Sequence, residues 1–411
     1  MNRNQEQGTA VFRDPLRPQF PKQILRAAAL WTVVVFASAS LTHCARSREF
    51  ADFTPPVYAA RPVQPEGVWE RDPRPLICNF RNMYQPEVIE ISGVEYRYRM
   101  WFFGWAMADY NPFYHGCDAI FHARSRDLLH WEVYAGEGQW DRTMNPARWV
   151  PVIVADGKPY DAFHNGDPSV VLKDGRFYMA FGATSKPFPE PRGGHPEQML
   201  LCVMGATSED GICWRKTNQP LLIDSVETPP ADSAAKWMGG FLRPSLLWDE
   251  GKWRLWFDYW HSDHGTCMGY AENTGKFGRR NGFHIMHDLD TPLIYSWVNP
   301  DVVRVGDTYH SFADPISYPP MLRDPNALWT SRQLCEAVSP DGIHWEVVGY
   351  IAPDDDVPAL HAPQALVTEQ SGERWLYLFY ATQIGHTQDA QIYDYRYDKI
   401  RAMRRRIEPT R

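Results

Sequence analysis

The chain has 411 residues and a formal net charge of −8, with 42 Lys and Arg against 50 Asp and Glu. That balance argues against a nucleic-acid groove, which needs concentrated basic side chains; the one dense basic run, Arg401 to Arg406, reads as a solvated terminal face. Aromatics make up 14 % of the residues, beside 34 Pro and 28 Gly, which favours short strands and many turns over long helices. The 7 cysteines show no C-x-x-C and no regular spacing, so neither a zinc site nor a disulfide scaffold is indicated.

In chain order, Arg3, Arg13, Arg17, Lys22 and Arg26 precede the apolar run "AAALWTVVVFASASL" from Ala27 to Leu41, an export signal in outline. Ala37-Ser38-Ala39 offers a small-x-small cleavage site. "LTHC", Leu41 to Cys44, is similar to a bacterial lipoprotein box, with His43 where a small residue is expected. An uncleaved membrane anchor is the alternative, although the run is short for a full span. Residues 1–44 are therefore expected to be a signal or anchor segment that can contact a membrane, and the protein is expected in the periplasm, at the cell surface or outside the cell. Residues 45–74, rich in Pro and polar groups, read as a linker.

A repeat follows. "QPEVIEISGVEYRYRMWFFGW", "DPSVVLKDGRFYMAFGATS", "RPSLLWDEGKWRLWFDYW", "NPDVVRVGDTYHSFADP" and "APQALVTEQSGERWLYLFYAT" each place a residue before Pro, then an apolar strand, a Gly-containing turn and an aromatic strand. The prolines are Pro86, Pro168, Pro244, Pro300 and Pro363. A second recurrence, S-x-D-x-x-x-W, appears at Ser125 to Trp131, Ser208 to Trp214 and Ser339 to Trp345, where Ser and Asp suit a tight turn between two strands. The third unit keeps a degenerate "MGYAENTGKFG" and the fifth lacks the motif. Four antiparallel strands repeated five times around an axis make an all-β, five-bladed β-propeller, expected over residues 75–400 with a basic tail at 401–411.

Pro is tolerated at the first residue of a strand and is expected to hold its predecessor in extended geometry at the mouth of the central channel. With side chains alternating at period two, the residues before and after each Pro are expected to share one face. The pairs are Gln85 and Glu87, Asp167 and Ser169, Arg243 and Ser245, Asn299 and Asp301, and Ala362 and Gln364. Burying carboxylates and an Arg without partner or task is costly, whereas a wide, wet channel would tolerate them freely. Carboxylates around one pocket are the equipment of glycoside hydrolysis, one protonating the leaving oxygen and another activating water or attacking the anomeric carbon. Asp167, Glu87 and Asp301 are the catalytic candidates. Arg243, Gln85, Asn299, Asp118, His164, His361 and Trp105 are the candidates for binding carbohydrate. Aromatic rings suit the apolar faces of sugars, and they crowd Trp101 to Asp118 and Asp258 to Gly265, with His310 a further mouth candidate. No H-E-x-x-H spacing points to catalytic zinc, and no cofactor is expected, although a structural cation on the axis is compatible with a lone His there.

On "GDPSVVLKDGRFYMAFGATS", "NPDVVRVGDTYHSF" and "ARSRDLLHWEVY", the chain resembles the five-bladed propeller superfamily of arabinanases, levansucrases and invertases, especially glycoside hydrolase family 43, over roughly residues 75 to 400. The resemblance implies glycosidase chemistry on an oligo- or polysaccharide. That family places an Asp before Pro in its first and second units and an acidic Glu in its third; here only Asp167 carries over by motif, with Gln85 and Arg243 in the flanking units. A rearranged carboxylate set, a phosphorylase-like site in which Arg243 holds phosphate, and a non-catalytic carbohydrate-binding propeller remain the alternatives.

Overall fold

The computed structural model describes residues 57–58, 69–80, 83–106, 117–156, 160–185, 200–223, 238–261, 264–279, 282–315, 333–351, 360–382 and 399–407. The signal or anchor segment and Cys44 lie outside the described residues, as do residues 107–116 of the aromatic mouth segment. Among the described residues no helix is long and apolar enough to cross a membrane.

The strands form five antiparallel sheets, one per repeat. Two short N-terminal pieces, β1 (Val57–Tyr58) and β2 (Glu70–Cys78), come first in the chain. Blade 1 contains β3 (Tyr84–Glu90), β4 (Tyr98–Ala106), β5 (Cys117–Ser125), β6 (Trp131–Tyr134) and β7 (Trp140–Asp141). Blade 2 contains β8 (His164–Lys173), β9 (Arg176–Thr184), β10 (Leu201–Ser208), β11 (Trp214–Lys216) and β12 (Leu222–Ile223). Blade 3 contains β13 (Met238–Asp249), β14 (Lys252–His261), β15 (Gly265–Asn273), β16 (His284–Ile285) and β17 (Ile294–Tyr295). Blade 4 contains β18 (Asp301–Val305), β19 (Thr308–Ala313), β20 (Cys335–Ser339) and β21 (Glu346–Tyr350), with β1 running parallel at its edge. Blade 5 contains β22 (Leu360–Gln370), β23 (Glu373–Thr382) and β24 (Lys399–Arg406), and β2 from the N-terminal side closes it as the outermost strand.

The structure corrects three expectations. Arg401 to Arg406 is not a solvated tail but part of β24, and Arg401 and Arg405 are buried. Arg405 makes a two-pronged contact with buried Glu336 of blade 4, which gives the guanidinium the carboxylate it needs inside the protein. His310, expected at the mouth, also bonds Glu336, through Nδ1 at 2.7 Å, and so belongs to the same seam. The stretch assigned to a linker already contains β1 and the start of β2. The fifth unit has no S-x-D turn because its outer strand comes from the other end of the chain.

The core sits between the blades. Five clusters of buried apolar side chains fill the five seams, each drawing on two neighbouring blades: Trp101 and Phe103 of blade 1 pack with Val170 and Phe181 of blade 2, and Trp256 of blade 3 with Val302 and Tyr309 of blade 4. The S-x-D turns clip these seams. Ser125 Oγ accepts from the N–H groups of Asp127 and Leu128, and Asp127 Oδ1 from those of Leu129 and His130. The same pattern recurs around Ser208 and Asp210 and around Ser339 and Asp341. Trp101 then donates to the carbonyl of Gly211 in the next blade's turn, and Trp256 to that of Gly342. In the degenerate third unit Asn273 occupies the Ser position and accepts from Gly275 N–H at 2.7 Å.

Candidate active site

All five residues that precede a repeat proline have a positive φ: Gln85 49°, Asp167 52°, Arg243 47°, Asn299 52° and Ala362 50°. This corrects the expected extended geometry. Each is a non-glycine residue in the left-handed region, which costs about 1–3 kcal/mol and persists only where surrounding structure enforces it. In blades 1, 2, 3 and 5 the strand register slips at this point, between Tyr84 and Glu87, Gly166 and Ser169, Leu242 and Ser245, and His361 and Gln364. A bulge breaks the period-two alternation, so the residues before and after Pro serve different partners.

The residues after Pro form a closed ring of hydrogen bonds. Glu87 Oε1 accepts from Val170 N–H of the next blade at 3.0 Å, Ser169 Oγ from Leu246 N–H at 2.9 Å, and Ser245 Oγ from Val302 N–H at 2.9 Å. Asp301 Oδ2 accepts from Ala365 N–H at 2.7 Å, and Gln364 Oε1 from Val88 N–H at 2.9 Å, which returns to blade 1. Each first strand is thereby tied to its neighbour. Burial raises the pKa of Glu87, with the Asp301 charge adding to it, and burial likewise raises that of Asp301. The two carboxyls expected to act beside Asp167 are thus engaged with backbone N–H groups instead.

The residues before Pro gather a different set. Arg243 Nη1 donates to Asp258 Oδ2 at 3.0 Å, and the same oxygen accepts from Asn299 N–H at 3.2 Å. Asn299 Nδ2 donates to Asp314 Oδ1 at 2.6 Å. The Asp167 and Asp314 charges also favour the charged form of Arg243, although only Asp258 is in contact with its guanidinium. On the other side His164 stands between Asp118, with Nδ1 to Oδ2 2.9 Å, and Asp167, with Nε2 to Oδ2 3.3 Å. Gly182 lies opposite, where a Cβ would fall 2.6 Å from Asp167 Oδ2, so the carboxylate occupies the space a side chain would fill. Gln85 is buried, and its Oε1 has no hydrogen-bond partner. Trp105 pairs with Asp118 across β4 and β5, and His361 lies buried on β22 beside Ala362.

Two functional candidates escaped the sequence reading, Asp258 and Asp314. Both are buried and both sit on the second strand of a blade or just past it: Asp258 pairs with Leu242 across the register slip, and Asp314 N–H bonds Val298 O at 3.0 Å. The signal was present in "FDYW" and "FADP", an Asp within or just past an aromatic, largely buried strand. Burial pushes the Asp258 carboxyl up to about 6, against the pull of Arg243 and the Asn299 N–H. Among the described residues no group of three or more His, Cys, Asp or Glu side chains is placed to hold a metal ion.

Five blades closed around an axis have counterparts among solved structures. BT0996, solved in complex with RGII, superposes with a TM-score of 0.54 at 14 % identity, covering 82 % of this chain and 91 % of that one. The chain has the fold of the five-bladed propeller glycoside hydrolases. A glycoside hydrolase gives 0.53 at 14 % identity, over 83 % of this chain and 93 % of that one. A thermostable family-43 glycoside hydrolase gives 0.50 at 10 % identity, over 83 % and 97 %. No family model matches the sequence, and no curated protein matches it.

Proposed function

We propose that the protein is a glycosidase-like enzyme that cleaves a glycosidic bond of an oligo- or polysaccharide at the pre-proline cluster. The observation that carries this reading is the pairing of two buried carboxyls in unlike environments: Asp258, pushed up to about 6, and Asp167, hydrogen-bonded to His164. Glycoside cleavage needs one carboxyl that holds a proton for the leaving oxygen and one that stays ionised to activate water or attack the anomeric carbon. Asp258 suits the first role and Asp167 the second. Arg243 limits how far Asp258 rises, Asn299 and Asp314 fix Arg243's surroundings, and Gln85 Oε1 is an acceptor for a sugar hydroxyl.

The experiment is hydrolysis of a broad glycan panel by the folded protein, with Asp167→Asn and Asp258→Asn beside it. An acid role predicts that Asp258→Asn loses little on aryl glycosides whose leaving group needs no proton, while Asp167→Asn is inactive on all of them. No sugar release from any glycan, with binding retained in both variants, would instead establish a binding module. Phosphorolysis is disfavoured because Arg243 already donates to the buried Asp258 carboxylate at 3.0 Å; turnover that required phosphate would favour it instead. Export is proposed on Ala27 to Cys44 alone, and N-terminal sequencing of protein from the cell envelope tests it.

A further inference from the structure

Both ring nitrogens of His164 face carboxylate oxygens, Nδ1 that of Asp118 at 2.9 Å and Nε2 that of Asp167 at 3.3 Å. A neutral imidazole carries one N–H and one lone pair, so it can donate to only one of them and must turn its lone pair on the other. An imidazolium donates to both. The rest of the surroundings is arranged around the ring. Phe103 of β4 meets it edge-on at 5.6 Å between centroids, and Thr184 Oγ1 of β9 accepts from the His164 backbone N–H at 3.1 Å. Gly166 leaves the room the ring needs, since a Cβ there would lie 2.7 Å from His164 Cε1. The charged groups on the ring are Asp118 from β5 and Asp167 from β8, while Arg243 of β13 and Asp258 of β14 act on Asp167.

We infer that His164 is a standing cation, held charged by Asp118, and that it acts as a positioning residue that fixes Asp167 Oδ2 beside a positive charge. The inference rests on the glycosidase reading for its purpose but not for its evidence. Asp167 is buried, and a cation in hydrogen-bond contact supplies its carboxyl with a counter-charge and a fixed donor where water cannot. In agreement, the two carboxylates raise the His164 pKa to about 10, although burial works against the charge. Asp118 and His164 thereby change from sugar-contacting candidates to groups that act through Asp167.

The test is histidine-selective 15N NMR of the whole protein without substrate, with the His164 signals assigned by their loss in His164→Gln and their shift in Asp118→Asn. The expected result is two protonated ring nitrogens from pH 5 to beyond pH 8.5, with the midpoint lowered by a unit or more in Asp118→Asn. A neutral tautomer at pH 7 would overturn the inference, and so would an unchanged midpoint in Asp118→Asn. Where glycan hydrolysis is measurable, His164→Gln should lower kcat by at least tenfold on natural glycans and aryl glycosides alike. A His164 that stays cationic in a protein that cleaves nothing would remove the glycosidase reading and leave the charge assignment standing. A neutral His164 in an active enzyme would do the reverse.

Discussion

Two sets of five residues flank the same five prolines, and they do opposite work. Those after Pro (Glu87, Ser169, Ser245, Asp301, Gln364) each satisfy one backbone N–H of the next blade and close a ring. Those before Pro (Gln85, Asp167, Arg243, Asn299, Ala362) all sit in a costly backbone conformation, and three of them join a charged network. The contrast teaches that polarity and burial do not by themselves mark a site. Glu87 and Asp301 are buried carboxyls with raised pKa values, yet a neutral Ser or Gln performs the same task at the other three ring positions. Strain separates the sets better. A left-handed residue repeated five times with changing side chains is a backbone device that presents whatever side chain stands there.

The largest expected effect breaks the comparison along this line. Asp167→Asn or Asp258→Asn should lower kcat on a natural glycan by roughly 10²- to 10⁴-fold with the fold intact, whereas Glu87→Gln should change it by less than about tenfold. Steady-state kinetics with circular dichroism on each variant decides it. A collapse of activity in Glu87→Gln would return that carboxyl to the catalytic set.

Stability should respond in the opposite sense. Asp301→Ala leaves Ala365 N–H buried without its acceptor and should cost about 1–3 kcal/mol in denaturant unfolding. Asp301→Asn keeps an acceptor and should cost far less. Equal losses in the two variants would show that charge, not the hydrogen bond, holds the ring.

Most of the fold was legible in the sequence because each blade carries its own local signs. The prolines mark the first strands, the Gly turns mark the hairpins, and Ser125, Ser208 and Ser339 mark turns that accept the same N–H groups in the structure. Closure was not legible. Pairing of β2 with β24 joins residues more than three hundred positions apart, and nothing local in Glu70–Cys78 or Lys399–Arg406 names the partner. The site was half legible. Asp167 and Arg243 stand out beside their prolines, but the alternation rule failed because the bulge is invisible in residue types. Asp258 and Asp314 lay on the neighbouring strand, where only the register brings them to the mouth.

Arg243 sharpens the comparison from the mouth side. Its guanidinium lowers the Asp258 carboxyl from where burial alone would put it. Arg243→Ala should therefore let Asp258 keep its proton to higher pH, moving the alkaline limb of the rate profile upward by about one unit, or ~1.4 kcal/mol. A limb that stays near pH 6 would mean that Arg243 does not govern Asp258, and a limb that moves down would exclude Asp258 as the acid.

The smallest effect belongs to the ring and concerns how stability depends on pH. Glu87 and Asp301 have folded pKa values raised above those of the unfolded chain, by burial first and, for Glu87, by the Asp301 charge next. Such groups bind protons more tightly when folded. Their contribution is fully present below the ordinary carboxylate range and is lost as pH rises through the folded values. Other carboxyls tilt the total the opposite way, since Asp127, Asp141 and Asp341 are all held down at about 2. The informative quantity is therefore a difference. The double variant Glu87→Gln, Asp301→Asn keeps every ring acceptor and removes both titrations, so its stability relative to wild type should climb from about pH 4 to at least the folded Asp301 value of about 7. A difference that stays flat across that range would mean that the two carboxyls ionise in the ring as easily as in water, the N–H bonds from Val170 and Ala365 fully offsetting their burial.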